Sequence, residues 1–379
     1  MVDTGTSKVY FLKTGVESGD GIAAGLDGLL ETSGLSAVVK ENDIAAVKLH
    51  FGESSETGHV RPRFVKRVVS WIARQGARPF VTDTNTLYRG SRSDSVAHLR
   101  TAAEHGFTLQ ALGAPVMIAD GMHGTSEVRI EAPGELVGKA PFGTELVKAD
   151  CIISVAHFKG HELSGFGGAI KNVGMGGAAR AGKLDQHSTT KPYVRDGCVA
   201  CGTCARWCPV EAITVADEAS IDESICIGCG ECIAVCPQRV VGIRWNESTD
   251  IFQRKMVEYL GALAGLKKGR IAYVNFITDV HPVCDCYGTP KVAIVPDIGV
   301  LASLDPVAID QASYDLVNAA PPAKKSGLSS GYRTGEDKFR DLHRDVDPTV
   351  QLRYAEQLGL GKRDYELLDV QESARSSAG

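Results

Sequence analysis

The sequence lacks the features that mark nucleic-acid-binding and membrane proteins. Its 41 Lys and Arg residues do not outnumber its 46 Asp and Glu residues, and the net charge of −5 argues against general nucleic-acid binding. No apolar run approaches the roughly 18 residues needed to span a bilayer. The N-terminal residues lack the basic-then-apolar order of a signal peptide, so we expect a cytoplasmic protein without a membrane anchor.

What is present is an ordinary globular composition with an unusual set of cysteines. The chain has 379 residues, of which 43% are hydrophobic and 23% charged, enough for two or three domains. It contains 11 cysteines, and eight of them fall within residues 198–236 in two copies of one pattern. Such spacing indicates metal ligation in a reducing compartment rather than disulfides.

Most of the chain alternates strand-like and helix-like segments. Strand patterns cover residues 8–12, 44–51, 78–83, 114–120, 126–131, 151–158, 270–277 and 291–296. Helix patterns cover residues 21–30, 62–75, 94–104, 252–266 and 305–318. This alternation predicts an α/β fold with a largely parallel sheet.

Residues 193–245 interrupt the alternation, because they are short of long apolar segments and rich in Cys and Pro. We therefore predict an α/β body over residues 1–192 and 246–367, with a small inserted α+β domain over residues 193–245. Residues 368–379 have no core-forming pattern and are predicted to be a disordered tail.

The cysteine pattern is that of bacterial two-cluster ferredoxins. The two runs are "CVACGTCARWCP" and "CIGCGECIAVCP", and in this pattern the fourth Cys of each run ligates the other cluster. We assign one [4Fe–4S] cluster to Cys198, Cys201, Cys204 and Cys236, and the second to Cys226, Cys229, Cys232 and Cys208. The alternative is a pair of zinc sites, since four close cysteines can also hold zinc.

Residues 159–187 combine eight glycines with lysines and histidines and have few bulky side chains. They follow the predicted strand 151–158, and ligands in open α/β sheets bind at the carboxyl ends of strands. We predict a site for a small anionic ligand here, with His161 and Lys171 as catalytic candidates. The binding candidates are Lys159, Gly165, Gly167, Gly168, Asn172 and His187. The alternative is a flexible loop with lysines that face solvent.

Three further candidates lie at the ends of predicted elements. His50 follows a strand and is a catalytic candidate, although a single histidine can also be structural. Arg61 stands near a helix start, where it could bind a carboxylate or phosphate. Asn85 follows the strand 78–83 and either contacts a ligand or caps a turn.

The segment "HPVCDCYG" contains Cys284 and Cys286, which are too close in sequence for an easy disulfide. With His281 and Asp285 they could bind a metal, accept electrons or face the pocket. A structural role is the alternative. Asp305, which precedes Pro306, is predicted to cap a helix.

Four segments carry a resemblance to a known family: "VKLHFGE", "HFKGHELSGFGGAIKNVGMG", "HPVCDCYG" and "LDPVAID". The chain resembles the iron–sulfur-centre proteins defined by a conserved domain of unknown function, which carry an inserted two-cluster ferredoxin domain. The resemblance covers nearly the whole chain and implies this architecture rather than a reaction.

The run "HELSGFGGAIK" is also similar to the glycine-rich motif of the nickel-pincer lactate racemases. That resemblance implies that His161 is catalytic, that Lys171 anchors a pyridinium-derived nickel cofactor and that His187 ligates the metal. The run "HVRPRF" resembles a substrate and cofactor-binding stretch of the same family, which implies a role for Arg61. The sequence differs at residues 167–169, which are Gly-Gly-Ala rather than Ser-Gly-Gly, and residues 81–92 contain no histidine at the place of the racemases' second catalytic one.

Three functions follow from these observations. The first is an iron–sulfur oxidoreductase of anaerobic metabolism, in which an external ferredoxin-type partner exchanges electrons with two clusters that serve a small-molecule or cofactor site in the α/β body. The second is a non-enzymatic electron carrier or accessory protein. The third is a metal-pincer enzyme with a further pocket-bound cofactor. The oligomeric state is not predicted.

Overall fold

The computed structural model describes residues 6–14, 20–289, 291–326, 328 and 334–371. Its main element is an eight-stranded sheet, and four further pairs of short strands surround it. In chain order the strands are β1 (Ser7–Lys13), β2 (Ile44–Lys48), β3 (Arg78–Asp83), β4 (Val116–Ile118), β5 (Glu127–Glu131), β6 (Lys139–Gly143), β7 (Cys151–His157), β8 (Lys159–His161), β9 (Gly165–Gly167), β10 (Tyr193–Val194), β11 (Ile213–Val215), β12 (Ala219–Ile221), β13 (Val241–Gly242), β14 (Ile271–Ile277), β15 (Gly299–Ser303) and β16 (Tyr365–Asp369).

The helices follow the alternation that the sequence predicts. They are α1 (Asp20–Thr32), α2 (Pro62–Arg74), α3 (Ser95–Glu104), α4 (Leu109–Leu112), α5 (Thr144–Lys148), α6 (Ala169–Gly174), α7 (Arg180–His187), α8 (Thr203–Arg206), α9 (Glu231–Val235), α10 (Thr249–Lys267), α11 (Pro306–Ala319), α12 (Lys338–Leu342) and α13 (Val350–Gln357). As predicted, Asp305 caps α11, since its carboxylate accepts hydrogen bonds from the amides of Val307 and Ala308. No helix of the described residues is long and apolar enough to cross a membrane.

The large sheet has the strand order β16-β1-β15-β14-β7-β2-β3-β4 and is mostly parallel. Only β15 runs antiparallel to its two neighbours, β1 and β14. Every residue of β7 and β14 is buried. Central strands covered on both faces are apolar throughout, which is why the sequence shows continuous hydrophobic runs there.

Two separate hydrophobic cores flank the sheet. One contains residues of α6, α10 and α11, for example Ile170, Leu260 and Ile309. The other contains residues of α1 and α2, for example Leu26 and Trp71. The fold is therefore a mixed α/β sandwich, and its sheet holds the carboxyl ends of β2, β3 and β7 at one edge.

Residues 193–245, called here the cysteine insert, form β10–β13 and α8–α9 around a core of their own. The pairs β10–β13 and β11–β12 are both antiparallel. Gly202, Gly228 and Gly230 have φ values of 70°, 73° and 73°, which other residues adopt at a cost. These three glycines let the chain turn between the cysteines.

The structure differs from the sequence prediction at two places near the C-terminus. The predicted strand over residues 291–296 is wrong, since Ile294 and Val295 are buried in a loop and the strand next to β14 is Gly299–Ser303. A short apolar run does not distinguish a buried loop from a strand. In addition, β16 extends to Asp369 and pairs in parallel with β1, so ordered structure continues past residue 367. Residues 372–379 of the predicted tail lie outside the described residues.

Candidate functional site

A cavity of about 570 Å³, called here the main cavity, lies at the carboxyl ends of β2, β3 and β7. This size is typical of a small-molecule site. Its lining includes nine of the residues predicted from the sequence: His50, Lys159, His161, Gly167, Gly168, Lys171, Asn172, His187 and Cys286. The arrangement brings together side chains that are up to 236 residues apart in the chain.

The glycine-rich segment is ordered, and its glycines serve mainly close packing. Strand β8 pairs with β9, and the chain then enters α6 and α7. A Cβ at Gly160 would lie 2.1 Å from the Pro282 carbonyl oxygen, and one at Gly174 would lie 2.2 Å from the Met256 oxygen. At the start of α6 the amides of Ala169 and Ile170 donate to the buried carboxylate of Asp310 at 2.7 and 2.9 Å, so they do not face a ligand.

A buried ion pair forms the floor of the main cavity. Lys48 Nζ lies 3.1 Å from Asp83 Oδ1 and donates to Asn172 Oδ1 at 3.0 Å. Burial lowers the pKa of Lys48, although Asp83 opposes this shift. Burial alone would raise the pKa of Asp83, but the charge of Lys48 and the hydrogen bond from His98 hold it well below its usual value. The ion pair therefore fixes Asn172, and with it helix α6, to the sheet.

His161 and His187 have opposite tautomers. The amide of Leu163 donates to Nδ1 of His161 at 3.2 Å, so the neutral ring carries its proton on Nε2. In His187, Nδ1 lies 2.7 Å from the Lys183 carbonyl oxygen and donates to it, which leaves a lone pair on Nε2. Burial lowers the pKa of both rings, that of His187 to about 4, and the charge of Lys171 lowers both further. Both histidines are thus neutral near pH 7, His161 as a donor and His187 as an acceptor.

The two thiols predicted as pocket residues lie on one side of the main cavity. Cys286 is part of its lining, whereas Cys284 is 1% exposed and lies behind it. Lys171 Nζ lies 4.0 Å from Cys284 Sγ. Asp285 points away from the thiols and binds His157 at 2.9 Å and Lys159 at 3.1 Å.

Three predicted residues besides Cys284 are not part of the lining of the main cavity. Arg61 is half-exposed and forms an ion pair with Asp279 at 2.8 Å. Asn85 is buried and donates to Asp120 Oδ1 at 2.9 Å and to the Gly121 carbonyl oxygen at 2.8 Å, which is the structural alternative for this residue. Gly165 has a φ of 74° and packs against Pro348.

The cysteine insert contains two smaller cavities that are each lined by four cysteines. One is lined by Cys198, Cys201, Cys204 and Cys236, and the other by Cys208, Cys226, Cys229 and Cys232. The last cysteine of each run thus lies with the first three of the other run. These motifs could bind metal clusters, and the four cysteines of each cavity are the four that the sequence analysis groups together.

The insert contacts the wall of the main cavity directly. Leu87, which lines the main cavity, also packs in the core of the insert with Cys204 and Cys232. Arg89, another lining residue, donates to the carbonyl oxygens of Ile233 at 3.1 Å and Ala234 at 2.9 Å, and also to that of Cys236. The cysteine insert and the lining of the main cavity are therefore in direct contact through Leu87 and Arg89.

Comparison with known proteins identifies the family. Residues 45–315 match the family model described as a domain of unknown function, DUF362. The chain belongs to this family. No curated protein matches it.

The solved structures that match this DUF362 chain include two that differ in source. The lactate racemase apoprotein from Thermoanaerobacterium thermosaccharolyticum is 13% identical with a TM-score of 0.38, over 72% of this chain and 51% of that one. A structural-genomics protein from Thermotoga maritima is 10% identical with a TM-score of 0.39, over 70% of this chain and 52% of that one. The chain spans about half the length of each of these structures.

Several lining residues of the DUF362 chain were not among the sequence-predicted site residues. Arg92 is 2% exposed, donates to the Tyr88 hydroxyl at 2.7 Å and lies 3.3 Å from both Asp83 and Glu53. Lys183 is also buried, and burial lowers its pKa to about 8. Lys48 and Asp83 could have been inferred from the sequence, because both are ionisable residues at the ends of apolar strands. Nothing in the local sequence distinguishes Arg92 or Lys183 from a surface residue.

Proposed function

We propose that the chain is an iron–sulfur oxidoreductase with two [4Fe–4S] clusters in its cysteine insert. A small anionic molecule in the main cavity exchanges electrons with these clusters, and an external ferredoxin-type carrier supplies or accepts them. The main support for this proposal is the direct contact between the cysteine insert and two lining residues of the main cavity, Leu87 and Arg89. It gives the clusters a short route to a ligand.

The spacing of the cysteines favours clusters over single zinc ions. In a tetrahedral zinc site with bonds of 2.3 Å, the sulfur atoms lie about 3.8 Å apart. Among the described residues, the groups with three or more ligand atoms within 4.8 Å of one another do not include the insert cysteines. The wider spacing fits a cubane, which when bound supplies one-electron transfer at a potential set by hydrogen bonds and exposure.

Backbone amides of the insert already point at two of the sulfur atoms. Ala219 N–H donates to Cys198 Sγ at 3.3 Å, and Ala212 N–H donates to Cys208 Sγ at 3.2 Å. Each of the two ligand sets receives one of these bonds. Such donors stabilise the ligating thiolates and raise the reduction potential of the group that they hold.

The charges of the main cavity support an anionic ligand. Lys48 and Arg92 are neutralised by Asp83 and Glu53, and Lys159 by Asp285. No carboxylate of the described residues pairs with Lys171, so its ammonium group is available to a ligand. His161 can donate a hydrogen bond from Nε2 and His187 can accept a proton, so the cavity offers an anchor, a hydrogen-bond donor and a general base.

The test of the proposal begins with protein purified without oxygen. We expect about eight irons and eight sulfides per chain, with the visible absorbance and low-temperature electron paramagnetic resonance of [4Fe–4S] clusters. Cys151→Ser is the control, since this thiol is buried in β7 and should leave the iron content unchanged. Zinc in place of iron after reconstitution would contradict the assignment.

The second part of the test concerns the ligand. Protein reduced with dithionite should be reoxidised by a subset of small anions, and Lys171→Ala should weaken their binding about 10- to 150-fold, the equivalent of a charged hydrogen bond of about 1.5–3 kcal/mol. Lys139→Ala is the matched control, because Lys139 is exposed on β6 and pairs with Glu131. Intact clusters with no anion-dependent reoxidation would favour the electron carrier over the enzyme.

A pincer-type metal cofactor in the same cavity is the second candidate. It is supported by the presence of His161, Lys171 and His187 in one lining and by the lone pair on His187 Nε2. Such a cofactor, when bound, would supply hydride transfer at a metal. Intact-protein mass spectrometry of natively expressed material separates the two candidates: an adduct that is lost in Lys171→Ala favours the second, and an unmodified mass with retained turnover favours the first.

A further inference from the structure

The remaining reactive groups of the main cavity are the thiols of Cys284 and Cys286. Cys284 Sγ donates to Cys286 Sγ across 2.7 Å, and the amide of Cys286 donates to Cys284 Sγ at 3.3 Å. Cys286 lines the cavity, whereas Cys284 is buried behind it. The sulfur of Cys286 is therefore accessible to a ligand, whereas the sulfur of Cys284 is buried beside it.

The partner of Cys286 is His50, whose Nε2 lies 3.6 Å from Cys286 Sγ. His50, Cys284 and Cys286 are close enough together to hold one metal ion. The tautomer of His50 argues against that use. The amide of Gly52 donates to His50 Nδ1 at 3.0 Å, so the proton of the neutral ring is on Nε2, which then donates to sulfur and has no lone pair for a metal.

The surroundings of the two thiols favour one negative charge on Cys286. The ammonium group of Lys171 lies 4.0 Å from Cys284 Sγ, and Asp285 is neutralised by His157 and Lys159. The hydrogen bonds from Cys284 and His50 hold the pKa of Cys286 well below its usual value, while the pKa of Cys284 is raised by its bond to Cys286 and by burial. A thiolate beside a protonated thiol is the state in which a dithiol attacks a disulfide.

We propose that Cys284 and Cys286 form a redox-active dithiol that reduces a small anionic disulfide bound in the main cavity. This inference deepens the proposed function, on which it rests for the supply of electrons, by naming the group that reacts with the ligand.

The reaction balances as two thiol–disulfide exchanges. Cys286 thiolate attacks one sulfur of the ligand, the ligand's S–S bond breaks, and the first thiolate leaves while a mixed disulfide forms on Cys286. Cys284 then loses its proton to the departing thiolate and attacks Cys286 Sγ, which releases the second thiolate. The protein is left with a disulfide between residues 284 and 286. Two electrons from the external low-potential carrier and one proton from solvent restore the thiolate of Cys286 and the thiol of Cys284.

The short sequence separation of the pair suits such a cycle. Only Asp285 lies between the two cysteines, and this is the reason that the sequence argues against an easy disulfide. A disulfide that is difficult to close is readily reduced, and labile disulfides of this kind are the catalytic or regulatory ones. Lys171 would hold the anionic ligand at the same place.

The test uses the iron-loaded holoprotein, reduced and freed of reductant, and dithiobis(nitrobenzoic acid), a small dianionic disulfide. We expect the wild-type protein to release two aryl thiolates per chain in a fast phase, and peptide mapping to find residues 284 and 286 linked. Cys284→Ser should release one and keep the mixed disulfide on Cys286. Cys286→Ser should react at least about 100-fold more slowly, since the other thiol is buried.

Two further variants separate reactivity from folding. His50→Leu removes the Nε2–H donor to Cys286 Sγ and should raise the pKa of this thiol, so the fast phase should need a higher pH than in the wild type to reach its full rate. Cys151→Ser should behave as the wild type. All variants should retain the iron content of the wild type, which tests the proposed function separately from the dithiol.

Three outcomes would overturn the inference. One is a fast phase that persists in Cys286→Ser. Another is an unlinked pair in the wild type, with one thiolate released. The third is a bound non-iron metal that protects both thiols and is lost in Cys286→Ser, which would make the group a metal site.

Discussion

The carboxylate of Asp310 holds the first turn of α6 in place, and we expect Asp310→Asn to show how much of the site depends on it. Asp310 is buried and accepts hydrogen bonds from the amides of Ala169 and Ile170 and from the Asn275 side chain at 2.8 Å. An asparagine offers one oxygen and one NH₂ group, so one backbone amide would face a donor. An unsatisfied buried amide costs about 1–3 kcal/mol.

The cost should depend on pH in a defined direction. Burial raises the pKa of Asp310 from 3.8 to about 6. Because the folded state then binds the proton more tightly than the unfolded chain, this group contributes stability at low pH that is lost as the pH rises through about 6. With about 1.4 kcal/mol per pKa unit, the contribution is about 3 kcal/mol in all, of which about 1.4 kcal/mol remains at pH 5 and almost none at pH 8.

The asparagine variant cannot titrate, so the difference in free energy of unfolding between wild type and variant should shrink by about 1.4 kcal/mol from pH 5 to pH 8. Urea unfolding under anaerobic conditions, at matched protein concentrations, measures this difference. Asp345→Asn is the control, since Asp345 is exposed, and its effect should be near zero at both pH values. A difference that stays constant or grows with pH would refute the reasoning about Asp310.

Three further predictions concern the insert and its contact with the body. Cys208→Ser should damage the cluster held by the second cysteine run, and Cys236→Ser the cluster held by the first, each with loss of about four of eight irons. The electron paramagnetic resonance spectra of the two variants should differ. Loss of the first-run cluster in Cys208→Ser would contradict the crossed arrangement. Arg89→Ala removes hydrogen bonds to Ile233 and neighbouring carbonyl oxygens, so hydrogen exchange around α9 should rise while the iron content is kept, and unchanged exchange would mean that the contact is not structural. Burial lowers the pKa of Lys183 to about 8, so this ammonium group should become neutral as the pH rises through that value. Anion binding should then weaken in the wild type but not in Lys183→Met. An affinity that does not change with pH in the wild type would exclude Lys183 from binding.

The sequence predicts the fold well where the signals are local. Strand β3 has the predicted bounds, and the helices α2 and α11 begin at their prolines, because a proline in the first turn and an apolar period are properties of the segment itself. The sequence pattern predicts a strand at residues 291–296, whereas the structure has a loop there and a strand at Gly299–Ser303. Both are apolar runs of similar length, and only their neighbours in space decide which one joins the sheet.

The candidate site divides in the same way. His161, Lys171 and His187 could be singled out because a glycine-rich segment after a buried strand is visible in the sequence. Arg61 could not be placed, since a basic residue at a helix start either binds an anion or pairs with an acid, and Asp279 is 218 residues away in the chain. Asn85 is a similar case, as its partner Asp120 becomes adjacent only when β3 and β4 pair.

The position of the cysteine insert in the chain places both of its ends close to the main cavity. The chain leaves the body just after His187, at the end of α7, and returns through Trp245, a few residues before α10. Both residues line the main cavity, and their rings are in edge contact with centroids 4.9 Å apart. The two segments that connect the insert to the body therefore both lie at the main cavity.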